Sequence, residues 1–301
     1  MSTAGWCSQI FGGHAFFFFF SAFHSPDYES AEFREFCAAC YRAHSFKPSL
    51  SLAGLHAVLT VAAAREPVGY DALAARLDQS YATTSTMAGA LSDGRGRRPG
   101  LKLLRRVSGE DRKQKKLEAS RTGYALARLF VKTAISKAVF ENKGAVDEKY
   151  ILSDQLYSRI LPSLRLALNV ASDIQLSTFC VLLYVCQNQE KFGYQGEHSS
   201  VIAQKLGLSN LSRSLDRLAE GYAGYLGYKL LELHKKSTDR RVTLPSLSDA
   251  GARLMSDIAA QLRQKPPSVV LKPKPESLHR AKGPSEIKDF DDGDFDNIEW
   301  H

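Results

Sequence analysis

The chain repeats itself at long range, and that repeat constrains its fold more than any other feature. Residues 103–123 read LLRRVSGEDRKQKKLEASRTG and residues 231–251 read LELHKKSTDRRVTLPSLSDAG. In each, an aspartate (Asp111, Asp239) lies 12 residues before a glycine (Gly123, Gly251) and eight after a leucine (Leu103, Leu231), at an offset of 128 throughout. Upstream, YDALAARL (70–77) matches SVIAQKL (200–206) at an offset of 129. Further back, Leu52, Leu55, Val58 and Leu59 align with Leu176, Phe179, Leu182 and Leu183 at 124. Loop insertions produce such drifts, and KFGYQGE (191–197) is the evident one in the second half. Solenoid units repeat every 20–50 residues or so; a period near 128 predicts instead a domain duplicated in tandem.

Each half carries the same order of elements. A helical segment comes first, at 28–45 and at about 147–171. In the second, Ile151, Leu152, Leu156, Ile160, Leu161, Leu164 and Leu168 recur at steps of three and four. An apolar helix follows (SLAGLHAVLTVAAA or LSTFCVLLYVCQ), then a short helix and turn, then a polar-faced helix (ATTSTMAGAL or NLSRSLDRLAE). Two short strands joined by a charged turn lead to a last helix, SRTGYALARLFVKTAISKAV or SDAGARLMSDIAAQLR. ENKGAV (141–146) is the natural boundary. The expected organisation is an apolar N-terminal arm (1–27), a first domain (28–145), a second domain (146–265) and a tail (266–301).

Charge is unevenly placed. The net charge is +8, but residues 266–301 hold five Lys/Arg and eight Asp/Glu, which leaves the first 265 residues at +11. A basic body with an acidic tail points to a polyanionic partner, double-stranded DNA first. The tail contains Pro266, Pro267, Pro273, Pro275 and Pro284 and ends in DFDDGDFDNIEW (289–300). Too little of it is apolar to offset chain entropy, so disorder is expected. Its acidic aromatic end is open to three readings: it recruits a protein partner, folds back on the basic turns as a DNA mimic, or solvates the chain.

The five cysteines (Cys7, Cys37, Cys40, Cys180, Cys186) are odd in number and follow no framework spacing. This suits a reducing cytoplasm, next to the nucleoid if DNA is the partner. Cys37 and Cys40 lie in REFCAACYRA, which reads as a helix with buried thiols; redox sensing is the competing reading. No His/Cys/Asp spacing suits a metal, and no metal or cofactor is expected. AFFFFFSAF (15–23) is shorter than the roughly 20 residues of a membrane span, and no basic residue precedes it as in a secretory signal. It reads as a packed arm, or as sequence upstream of the true start. No membrane association is expected.

Helix, short helix, turn, polar-faced helix and two-stranded ribbon make a winged helix-turn-helix order. The expected fold class is therefore mainly α with small β wings: two tandem winged helix-turn-helix domains forming an intramolecular pseudo-dimer. A reading helix needs an apolar inner face and polar groups that meet base edges and phosphates. LSNLSRSLDRLAE supplies Leu208, Leu211, Leu215 and Leu218 inward, with Ser209, Asn210, Ser212, Arg213, Asp216 and Arg217 outward. In the first half Thr84, Ser85 and Thr86 hold that place. Lys235, Lys236, Arg240 and Arg241 crowd one turn around Asp239; such charges repel unless an anion neutralises them, and Arg suits a narrow minor groove. The corresponding basic groups of the first half are Arg95, Arg97, Arg98, Arg105, Arg112 and Lys113. Asp111 and Asp239 orient the wing arginines by charge-assisted hydrogen bonds. GRGRRPG (94–100) reads as a basic loop.

DRRVTLPSLSDAG, with Asp239, Arg240, Arg241, Leu247, Ser248 and Gly251, resembles the wing-to-helix signature of the MarR (multiple antibiotic resistance regulator) family of transcription factors. The resemblance covers about residues 150–263. It is weaker over 28–140, where Lys113 replaces the second arginine and TMAGALSDG contains Gly89 and no arginine. It implies a DNA-binding regulator, read as a repressor, and relatives that are mostly homodimers; here either one chain supplies both readers or the chain dimerises. It also implies a small-molecule effector, often phenolic or an oxidant, although no convergent polar cluster names one. Arg240 is expected to contribute more to binding than Arg112. Two alternatives remain: a plasmid or phage replication initiator with tandem winged helices, and a DNA-associated protein recruiting partners through its acidic tail. No nucleophile elbow, Walker loop or dinucleotide fingerprint is present in the sequence, and no enzyme activity is expected.

Overall fold

The computed structural model describes residues 30–64, 66–95, 98–108, 115–134, 156–188, 199–209, 211–222, 224–235 and 243–264. The N-terminal arm, the 141–146 boundary and the tail lie outside these.

The first half opens with α1 (Ala31–Phe46). Ser30 caps it, its Oγ accepting from the Phe33 N–H at 3.2 Å, and the chain leaves it at Lys47, ahead of Pro48. Helix α2 (Leu52–Ala63) is capped by Ser51 and is apolar all round, as a helix enclosed by others must be. Strand β1 (Val68–Gly69), α3 (Tyr70–Leu77) and α4 (Tyr81–Leu91) follow. Next come a small ribbon β2–β3 (Gly94–Arg95, Arg98–Pro99) and a longer one, β4–β5 (Leu104–Ser108, Lys115–Ala119). Helix α5 (Arg121–Ala134) closes the half. The second half runs from a π-helical turn (Leu156–Ile160) into α6 (Leu161–Val170), then α7 (Leu176–Gln187), α8 (Ser199–Leu206) and α9 (Leu211–Leu218). A small ribbon β6–β7 (Gly221–Tyr222, Tyr225–Leu226), a long ribbon β8–β9 (Leu231–Lys235, Thr243–Leu247) and α10 (Asp249–Arg263) complete it. The chain is thus mainly helical with small antiparallel sheets. Strand β1 pairs with β5, so the first long ribbon is three-stranded, ordered β1-β5-β4.

The two halves share hydrogen bonds as well as elements. Asp78 (φ 55°) and Gly207 (φ 62°) end α3 and α8 in the same left-handed turn. Gln79 N–H donates to Ala74 O at 3.0 Å, and Leu208 N–H to Ala203 O at 2.8 Å. Lys102 and Lys229 have φ of 56° and 55°, and the amides that follow them reach back to Leu91 O and Leu218 O, both at 2.7 Å. Ser120 Oγ donates to Lys102 O and accepts from Gly123 N–H; Ser248 Oγ does the same with Lys229 O and Gly251 N–H. A Cβ on Gly123 would overlap the Leu103 carbonyl oxygen, and one on Gly251 that of Leu230. Leu103 therefore corresponds to Leu230, not to the Leu231 expected from sequence. The loop from Ser108 to Lys115 is one residue shorter than that from Lys235 to Thr243, so the offset is 127 before it and 128 after it.

One hydrophobic core runs through both halves. Helix α1 packs on α5 of its own half and on α7 of the other; α6 packs correspondingly on α10 and on α2. Phe36 meets Phe130 and Phe179 edge to face, with centroids 6.1 and 6.5 Å apart. At the seam, Leu52 N–H donates to Ile174 O (3.2 Å) and Leu176 N–H to Leu50 O (3.3 Å), bridging Ser51 and Gln175 in antiparallel fashion. At the offset of 124 each bond is the image of the other under exchange of the halves, the mark of an isologous contact.

Candidate nucleic-acid interface

Helix α9 is the most strongly two-faced element. Leu211, Leu215 and Leu218 are buried, whereas Ser212 and Arg213 are exposed. Ser209, just before it, is exposed as well, and Asn210 lies outside the described residues. Ser214 turns toward α7, its Oγ 3.2 Å from Thr178 Oγ1. Arg217 is anchored: its Nη2 donates to Asp173 Oδ2 at 2.6 Å, and its guanidinium stacks 4.9 Å over the Tyr228 ring. Tyr228 OH donates to Asp173 Oδ1 at 2.7 Å. That hydrogen bond and the neighbouring guanidinium hold the Asp173 carboxyl below its ordinary pKa, against the opposing effect of partial burial. Sequence reading missed Asp173 and Tyr228. Their positions 44 and 11 residues from Arg217 carry no local signal.

Helix α4 corrects one assignment. Thr84 is fully buried and its hydroxyl has no hydrogen-bond partner, so it cannot meet a ligand at the surface. The offset of 127 that aligns Leu91 with Leu218 places Thr84 where Leu211 stands, a core position. Ser85 and Thr86 take the places of Ser212 and Arg213. Ser85 is half-buried; Thr86 is exposed and donates to Ala82 O at 3.0 Å. Gly89 is buried within an unbroken helix.

Of the basic ribbons, the structure places the ends. Lys235 is exposed at the end of β8 and Lys115 at the start of β5. Arg105 is exposed on β4 and paired across the ladder with Glu118, 2.8 Å away. Arg97, Asp111, Arg112, Lys113, Lys236, Asp239, Arg240 and Arg241 lie outside the described residues. Arg95 and Arg98 are backbone partners in β2–β3.

That pairing is a further correction: within GRGRRPG, expected as a loop, Gly94–Arg95 pairs with Arg98–Pro99 as a ribbon. Its counterpart pairs Gly221–Tyr222 with Tyr225–Leu226 in the same way. A Cβ on Gly100 would overlap Ser92 O and Gly94 N, and one on Gly227 would overlap Ala219 O and Gly221 N, so each ribbon must close on glycine. The shared spacing of six residues between glycines (94 and 100, 221 and 227) was the available sequence signal.

Cys37, Cys40, Cys180 and Cys186 are buried and unpaired in disulfides. Burial pushes their thiols up, Cys186 to about 12, which disfavours the reactive thiolate. Between the halves lies a surface cavity of about 540 Å³ lined by Ala64, Glu66, Val68, Ala72, Arg76 and Tyr157, where Arg76 Nη1 donates to Tyr157 OH at 3.1 Å. Among the described residues no helix is long and apolar enough to cross a membrane. No protein-family model matches the chain, and no curated protein matches it.

Proposed function

We propose that the chain is a sequence-specific regulator of transcription, acting as a repressor, that binds double-stranded DNA as an intramolecular pseudo-dimer of two unequal winged helix-turn-helix units. The observation that carries this reading is the reciprocal bond pair between Leu50–Leu52 and Ile174–Leu176, set in a core where equivalent helices of two equivalent halves cross-pack. A dimeric reader needs two copies of one unit related by a dyad, and its half-sites then lie about one helical turn apart. Each unit follows a short helix and a two-faced helix with a ribbon whose turn is basic in sequence. The body's charge of +11 supplies the attraction to phosphate. The units differ: Ser212 and Arg213 face solvent in one, Ser85 and Thr86 hold that place in the other. The site should therefore be asymmetric, with one stronger half.

The test is selection of genomic fragments on the purified chain, followed by sequencing. A promoter-overlapping site made of two dissimilar half-sites is the expected result. Directly repeated sites at an origin would replace the regulator reading with a replication initiator. Recovery of random fragments would remove sequence specificity.

A further inference from the structure

The small ribbons β2–β3 and β6–β7 occupy the same place in the two halves but have opposite chemistry. The first reads Gly94-Arg-Gly-Arg-Arg-Pro-Gly100, the second Gly221-Tyr-Ala-Gly-Tyr-Leu-Gly227. In the second, Leu226 is 85 % exposed and Tyr222, on the paired strand, 38 %. An exposed leucine on a loose loop would mean little. This one lies on a paired ribbon whose return toward β8 is hydrogen-bonded to the end of α9. Gly227 N–H donates to Glu220 O, Tyr228 N–H to Arg217 O, Lys229 N–H to Ala219 O and Leu230 N–H to Leu218 O, all between 2.7 and 3.0 Å. The ribbon is thus fixed to the C-terminal end of α9, which Arg217 and Tyr228 in turn fix to Asp173.

We propose that β6–β7 is an apolar wedge that inserts Leu226 into a base step of duplex DNA, while the corresponding ribbon of the first half neutralises phosphate. This deepens the DNA-binding reading and rests on it. The occupant is argued from charge: the equivalent ribbon carries three arginines in sequence, which suits a position facing a polyanion, and exposed Lys229 follows Leu226 three residues on. Among the parts of a polyanion, a base step accepts an aliphatic side chain. Leucine inserted there partly unstacks the step and kinks the duplex. Because no phosphate contact is made by Leu226, the wedge contributes affinity that does not depend on salt.

The experiment uses the full chain and a pool of duplexes recovered by it from a random library. Permanganate oxidation reads unstacked thymines, and anisotropy against salt concentration reads affinity. The wild type should give a discrete reactive position in the bound duplexes. Leu226→Ala should lose it and weaken binding about tenfold with the salt slope unchanged. Leu226→Arg, which copies the chemistry of the other half, should also lose the reactivity but recover affinity with a slope steeper by about one. Leu226 is at the surface, and circular dichroism verifies that both variants fold. Leu226→Ala that binds, reacts and responds to salt as the wild type does would overturn the wedge while leaving DNA binding in place. Loss of self-association in Leu226→Ala, with reactivity intact, would make the patch an interface between copies and overturn it too. A wild-type chain that recovers no duplex at low salt would fail the DNA-binding reading itself.

Discussion

His56 is a single side chain through which acidity reaches the seam between the halves. It is 4 % exposed on α2, which packs on α6 of the other half. Burial lowers its pKa to about 4; Arg165 adds to the effect, and a hydrogen bond with the Leu161 backbone opposes it. Unfolded, the ring titrates near 6.5, so the unfolded chain binds more protons than the folded one between those values. Its contribution is full above about pH 6.5 and is lost as pH falls toward 4, amounting to about 3 kcal/mol at the acid end. Urea unfolding at pH 7 and 4.5 should show this loss, and His56→Gln should show a smaller one. Equal losses in both proteins would shift the cause elsewhere. Arg217 gives a prediction on the binding side. Asp173→Asn removes the charge that holds it, so duplex affinity should rise and the plot of log K against log salt should steepen by about one. An unchanged slope would place Arg217 off the DNA. Because the Asp173 side chain is 65 % exposed, folding stability should move by less than about 1 kcal/mol.

The closing helices show how two short side chains fix the angle of a whole element. Ser120 and Ser248 each cap their helix through a glycine amide and, with the same hydroxyl, hold the carbonyl of a lysine in the left-handed region. Ser248→Ala removes the cap of α10 and should cost about 1 kcal/mol by thermal melting, and Ser120→Ala a similar amount in α5. A loss confined to one of the two would mean that the halves do not use their caps alike. These elements were legible in sequence because Ser, Gly and the apolar steps lie within one helix turn of each other. Helix α4 was not. It has no charged residue to mark an outer face, so Thr84 passes for a surface group until its neighbours are known. The small ribbons were hidden for a different reason: strands of two residues carry no periodicity.

At the scale of the chain, the reciprocal bridge between Ser51 and Gln175 is made within one molecule. A single chain should therefore sediment as a monomer and bind its site one chain per duplex. A dimer exchanging equivalent helices between chains would overturn the intramolecular arrangement. If the +11 body neutralises about six to eight phosphates, log K should fall against log salt with a slope near −5 to −7. A slope near −2 would confine contact to one unit. The sequence by itself determined the repeat, the order of the helices and the two long ribbons, the inward leucines of α9 and the concentration of positive charge in the body, since periodicity, caps and charge are local properties. Tertiary structure alone decided that the halves meet at Ser51 and Gln175, that Asp173 holds Arg217, that Thr84 is buried and that Leu226 is exposed. Each of these depends on residues brought together from distant parts of the chain, and the energy of such contacts leaves no pattern in the order of the residues.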